Sequence, residues 1–213
     1  TDIQLERYSR HILLDEIDWL GQARLLDAHV LVIGCGGLGS ACVPFLASSG
    51  VGHLTLVDAD VIELSNLQRQ TAYRTHDVGQ AKVQALAQAI LALNPDVQVQ
   101  TIQARVDEAQ LLSLMPSVDV VVDCSDNFAT RHAINRVCVH TKTPLVSGSA
   151  VRFEGQLAVY DARDMCSPCY ACAFEPTDNV SDGACATLGI FAPVVGVVGA
   201  MQASLALQVL LQL

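Results

Sequence analysis

Basic residues are scarce in this chain. Of 213 residues, 12 are Lys or Arg and 22 are Asp or Glu, a formal net charge of −10. That balance excludes wholesale electrostatic binding of nucleic acid or of an anionic membrane, since both need a basic surface. Lysine occurs only at Lys82 and Lys142. Charged residues of both signs make up 16%, against about 25% in an ordinary globular domain. Hydrophobic residues make up 51%, which excludes intrinsic disorder. After Asp182, the stretch from Gly183 to Leu213 carries no charge at all.

That stretch is longer than the roughly 20 apolar residues that span a bilayer. Gly183, Gly189, Pro193, Gly196 and Gly199 interrupt it. Its last part, Met201 to Leu213, sets Ser204, Gln208 and Gln212 in one thin polar stripe on an apolar helix. No basic cluster flanks it to fix an orientation. The pattern predicts a buried helix and no stable membrane insertion. Residues 1–20 hold Glu6, Arg7, Arg10, Asp15, Glu16 and Asp18, unlike a secretory leader. The expected setting is cytoplasmic. In that reducing environment the eight cysteines are thiols or metal ligands rather than disulfides. Cys35, Cys42, Cys124 and Cys138 fall in apolar runs and read as core residues.

Apolar positions separated by charged ones predict helix over residues 3–27. His29–Ile33 reads as a buried strand, followed by a helix over 38–48 and a strand over 54–58. A helix over 79–93 stops at Asn94-Pro95. Strands over 97–102 and 118–123 and a helix over 127–141 follow. Two last strands, 144–150 and 155–160, flank Arg152-Phe153-Glu154-Gly155, which suits a hairpin. The alternation predicts an α/β, Rossmann-like three-layer fold. Its sheet is mixed and mainly parallel, with antiparallel strands added in the C-terminal part.

Gly34-Cys35-Gly36-Gly37-Leu38-Gly39 fits G-x-G-x-x-G between a predicted strand and a predicted helix. Asp58 ends the next strand, 19 residues past Gly39. In that context glycines let the backbone approach phosphates at a helix N-terminus, and the acid holds a ribose hydroxyl. The motif marks an adenine nucleotide site without separating NAD from ATP. An ATP-using enzyme must neutralise three phosphates with Arg, Lys and usually a carboxylate-held magnesium. Ser65-Asn66-Leu67-Gln68-Arg69-Gln70 lies just past the second strand. Lys82 opens the next helix, where a cation opposes the dipole. In a chain with two lysines, that placement favours a phosphate role. Cys124-Ser125-Asp126-Asn127 ends the fourth strand at the carboxyl edge of the sheet. There Asp126 either caps the following helix or holds magnesium. No linker divides the chain, so 1–213 reads as one domain. It has N-terminal helices over 1–27, a nucleotide-binding half over 28–143, and strands, a cysteine loop and a helix over 144–213.

These segments, with Arg7-Tyr8-Ser9-Arg10, Asp58-Ala59-Asp60, Val78-Gly79-Gln80-Ala81-Lys82 and Cys169-Tyr170-Ala171-Cys172, occur in a familiar order. The chain resembles the ThiF/MoeB/HesA family of ubiquitin-activating-enzyme-like adenylyltransferases from about residue 6 to its end. The resemblance implies ATP-dependent adenylation of the C-terminal glycine carboxylate of a small ubiquitin-fold sulfur carrier, with release of pyrophosphate, for molybdopterin or thiamin biosynthesis. It implies that Asp58 and Asp60 lie at the ribose, with Gly34, Gly36, Gly37 and Gly39 against the nucleotide. Ser65, Asn66, Leu67, Gln68, Arg69 and Lys82 would surround the phosphates, and Asp126, with Asn127 beside it, would hold magnesium. Arg10 resembles an arginine that reaches into the neighbouring subunit of a catalytic homodimer. Its alternative is a surface charge on an amphipathic helix.

Cys169-x-x-Cys172 offers two thiolates at zinc spacing, and Cys166 a third possible ligand. Relatives supply a second such pair nearer the C-terminus, and none lies before Leu213. Cys185 matches the position at which some relatives form a covalent sulfur link to the carrier; the alternative is a loop cysteine without a role. Three rival readings are carried forward: an NAD-dependent oxidoreductase, a dimeric binding module without turnover, and a relative adenylating a different peptide.

Overall fold

A computed structural model describes residues 1–176 and 189–213. Three short helices open the chain: α1 (Asp2–Arg7), α2 (Ser9–Ile12) and α3 (Asp18–Asp27). A six-stranded sheet follows, in the order β3-β2-β1-β4-β5-β6. Its strands are β1 (His29–Ile33), β2 (His53–Val57), β3 (Gln98–Ile102), β4 (Val120–Asp123), β5 (Leu145–Val151) and β6 (Glu154–Tyr160). The pairings are parallel from β3 through β5, and β6 alone returns antiparallel. The strand order reverses at β1 and β4, and that reversal opens a crevice at their carboxyl ends.

The sheet is covered on both faces. On one lie α4 (Gly37–Ser48), α5 (Lys82–Leu93) and α9 (Ala192–Leu211). On the other lie α6 (Glu108–Leu114), α7 (Phe128–Thr141) and α8 (Tyr170–Ala173). β1 shows why its run is continuously apolar. Val30 and Val32 enter the first core cluster, while Leu31 and Ile33 enter the second. Burying one such side chain contributes about 1.5–3 kcal/mol.

Four details depart from the sequence expectations. The single helix over 3–27 is broken into three. Tyr8 turns inward at the first break, where its hydroxyl accepts a hydrogen bond from the buried Asn94. The helix expected from residue 79 begins at Lys82, because Gly79 has φ +91° and Ala81 bridges Val61. Helix α6 was not anticipated. Its signal is a capping box in which the Asp107 side chain accepts from Gln110 N–H and the Gln110 side chain accepts from Asp107 N–H. The last helix starts at Ala192, well before Met201, and runs through three of the residues read as interruptions. Pro193 sits in its first turn, where a missing N–H costs nothing. Gly199 fits because Leu38 O would lie 2.5 Å from a Cβ there. By length and composition α9 is apolar enough to cross a membrane. In this fold it lies across the sheet, with Val195, Val198, Gln202, Ala203 and Ala206 buried.

Candidate nucleotide site

The glycine loop joins β1 to α4. Gly34 has φ +96°, and a Cβ there would meet Cys124 O at 2.6 Å and Ser125 N at 3.2 Å. The loop therefore lies directly on the chain segment that carries Asp126. A Cβ on Gly39 would come within 2.0 Å of Gly34 O, so this turn closes only without a side chain. Above Gly36 the space is open, the nearest atom being Gln70 Nε2 at 3.7 Å. Gly36 is the N-cap of α4 and supplies no side-chain cap. The first-turn amides of this helix are left for an anion.

Asp58, just beyond β2, ties this loop in place. Its Oδ2 accepts from Cys35 N–H at 2.7 Å and its Oδ1 from Asp60 N–H at 2.8 Å. Burial pushes its carboxyl above the usual range, against the two hydrogen bonds and the nearby Lys82 charge. Tyr73, outside the sequence-predicted set, adds a second tie: its hydroxyl donates to Cys35 O at 2.6 Å. The Lys82 side chain is buried, and its Nζ contacts Asp60 Oδ2 at 2.9 Å. Asp60 itself is largely exposed, which leaves the pair open to exchange with a ligand anion.

Ser65, Asn66, Leu67, Gln68 and Arg69 lie in a short 3-10 turn and the residues after it. Asn66 is buried and its side chain accepts from Glu63 N–H at 3.1 Å, so it shapes the turn. Arg69 donates to Ser65 O at 3.2 Å, and its Cγ stands 3.8 Å from the Cβ position of Gly37. Gln70 is buried, and its Oε1 has no hydrogen-bond partner among the described residues. That oxygen is free to accept a hydrogen bond from water or from a bound ligand. Gln70 stood inside the sequence motif but was not singled out from it.

The two readings of Asp126 separate. The side chain that caps α7 is that of Asn127, which accepts from Thr130 N–H at 2.9 Å. Asp126 is exposed, and no hydrogen bond or ion pair among the described residues engages its carboxylate. The turn before it is closely held. Buried Asp123 accepts from Ser125 N–H at 2.9 Å, Ser125 Oγ at 2.6 Å and Ser147 Oγ at 3.1 Å. The buried Arg131 guanidinium donates to Ser125 O.

Cys169 and Cys172 have their sulfurs 3.6 Å apart, and Asn135 Nδ2 donates to Cys169 Sγ at 3.6 Å. Burial raises the Cys169 thiol, but hydrogen bonds from Asn135, Cys172 and Ala171 outweigh it and hold the thiol below its ordinary value. Cys166 is exposed and does not join the pair: among the described residues no three His, Cys, Asp or Glu side chains form a metal-holding group. Two thiolates are half of a tetrahedral zinc set. Arg10, on α2, is exposed and makes no ion pair among the described residues. Cys185 lies outside the described residues.

The family model described as the ThiF family matches residues 8–213. The chain belongs to the ThiF family. Among its ThiF-family relatives, the molybdopterin-synthase adenylyltransferase of Escherichia coli (strain K12) is 42% identical, over 99% of this chain and 84% of the relative. The sulfur carrier protein ThiS adenylyltransferase of the same organism is 45% identical, over 99% of this chain and 83% of the relative. A crystal structure of E. coli MccB with ATP superposes with a TM-score of 0.82 at 27% identity, covering 97% of this chain and 64% of MccB. The ThiF-family fold thus accounts for the mixed sheet and for the crevice at its switch point.

Proposed function

We propose that this ThiF-family chain is an adenylyltransferase. It uses ATP to adenylate the C-terminal glycine carboxylate of a small ubiquitin-fold sulfur carrier, releasing pyrophosphate, in molybdopterin or thiamin biosynthesis. The observation that carries this reading is the junction of two loops. Gly34 rests on Cys124 and Ser125, the backbone that leads directly into the unengaged Asp126, while the Arg69 side chain passes beside Gly37. An NAD-dependent oxidoreductase is not favoured, because the relatives are named adenylyltransferases.

The chemistry suits these groups. The nucleophile is a carboxylate, already ionised at neutral pH, so no general base is required. What the site must supply is alignment with the α-phosphate and positive charge for the departing pyrophosphate. In this reading Asp58 holds the ribose while bracing the loop, and Gly36 lets the phosphates approach the α4 amides. Asn66 shapes the 65–69 turn so that Arg69 faces the phosphates, and Lys82 exchanges Asp60 for a phosphate oxygen. Asp126 fits magnesium, which takes one or two protein carboxylates and completes its shell with phosphate oxygens and water. When bound, magnesium would neutralise charge developing on the pyrophosphate.

Arg10 acts on the neighbouring site of a homodimer. The protein works in the cytoplasm without stable membrane insertion and without nucleic acid. Zinc at Cys169 and Cys172 needs two further ligands, and a covalent carrier link falls to Cys185. Carrier-dependent exchange of pyrophosphate into ATP tests the reading. Wild type should catalyse it, and full activity in Asp126→Ala would sink the mechanism. A thermal shift with NAD but none with ATP would restore the alternative.

A further inference from the structure

Three residues on one face of α9 touch both halves of the site. Val195 Cγ1 lies 2.5 Å from the Cβ position of Gly37, and Gly199 packs on Leu38 O. One helical turn further, Gln202 is completely buried. Its Nε2 donates to Asp123 O at 2.8 Å and lies 3.5 Å from Val146 O. Its Oε1 accepts from Cys124 Sγ at 3.5 Å. Gly148 on β5 makes room for this carboxamide, since a Cβ there would lie 2.3–2.7 Å from its atoms. The spacing 195, 199, 202 is i, i+4, i+7, one stripe of a helix.

The turn from Asp123 to Asp126 is held by other bonds as well, but those come from Asp123 itself, from Ile33 on β1, from Ser147 on β5 and from Arg131 on α7. Gln202 supplies the one directional tie from the helix that also abuts the glycine loop. A buried carboxamide with both ends satisfied has a single orientation, because rotating it would leave a buried carbonyl against a carbonyl. We propose that Gln202 is a positioning residue. It sets the Asp126 carboxylate relative to the glycine cradle, and so sets the affinity for the divalent cation of a bound metal–ATP complex, without touching the nucleotide. The proposal rests on the reading of Asp126 as the magnesium carboxylate.

The test compares wild type with Gln202→Leu and Gln202→Met, both apolar and without the donor, Met being similar in length. Three quantities are measured: affinity for Mn2+ in the presence of ATP by electron paramagnetic resonance, affinity for AMP without metal, and thermal midpoint. Mn2+ affinity should fall at least tenfold in both variants, while AMP affinity stays within twofold. Should Gln202→Leu fail to fold, Gln202→Met carries the comparison. Unchanged Mn2+ affinity in a folded variant would overturn the proposal. So would equal losses for Mn2+ and AMP, which mean general support of the fold. If wild type binds Mn2+ and ATP but exchanges no pyrophosphate, the adenylation reading falls while the Gln202 comparison still stands. Absence of Mn2+ binding by wild type would overturn the magnesium site itself.

Discussion

Asp126 and Asn127 are adjacent polar residues, and they differ in which of them meets a first-turn amide of α7. Asn127 does, through Thr130 N–H. Replacing Asn127 with alanine should therefore cost about 1 kcal/mol of stability, read by chemical denaturation. Asp126→Ala should leave stability nearly unchanged and reduce pyrophosphate exchange at least a hundredfold. The sequence offered Asp126 for the cap or for magnesium, and the structure gives the cap to Asn127. A second prediction concerns Cys169. Because its hydrogen bonds favour the thiolate, it should react with iodoacetamide at pH 7.5 faster in wild type than in Asn135→Ala. Peptide mapping by mass spectrometry checks this.

At the level of elements, the glycines of the site helix and of the last helix behave differently. Gly39→Ala would drive a Cβ into Gly34 O and should destabilise by about 3 kcal/mol. Gly196→Ala on α9 meets nothing within 4 Å and should gain about 0.5–1 kcal/mol from helix propensity. Calorimetry of the two variants decides it. β1 and β2 carry a pH-dependent contact. His29 Nε2 lies 2.8 Å from Thr55 Oγ1 and Nδ1 lies 3.1 Å from Ser117 Oγ. Burial holds its pKa below 6.5, assisted by His53. The folded state thus binds the proton less readily than the unfolded state. This contribution is fully present above pH 6.5 and is lost as pH falls through the lowered value. The thermal midpoint of His29→Gln should fall less than that of wild type between pH 7.5 and 5. The strands β1 and β4 were legible because their valines, leucine and isoleucine are buried on both faces. Helix α6 and the breaks in the N-terminal segment were not, because a capping box and the Tyr8–Asn94 contact decide them.

Over the whole molecule, α1 to α3 expose Ile3, Leu13, Trp19 and Leu20 close in sequence to Arg10. Exposed apolar residues in such numbers suit a partner surface, and in the proposed homodimer that partner is a second copy. If Arg10 serves the neighbouring site, an equal mixture of Arg10→Ala and Asp126→Ala subunits should regain activity. With random exchange into symmetric dimers the recovery is about a quarter of wild type. Verified heterodimers with no activity would refute a shared site.

The sequence alone determined the layer architecture, the glycine loop, the acid Asp58 just past the second strand and the low charge that a doubly covered sheet permits. These are properties of local periodicity and of residue type, which need no distant contact. The tertiary structure decided which residues meet. It set Gly34 on Cys124, Lys82 on Asp60 and Gln202 beneath Asp123. Those pairs are separated by 22 to 90 positions, and no local pattern records them. The charge-free C-terminal stretch shows the same division. Its composition permits a membrane helix, and only the packing of its last helix against α4 and the sheet, with a buried glutamine bonded to β4, makes that part a core element beside the glycine loop.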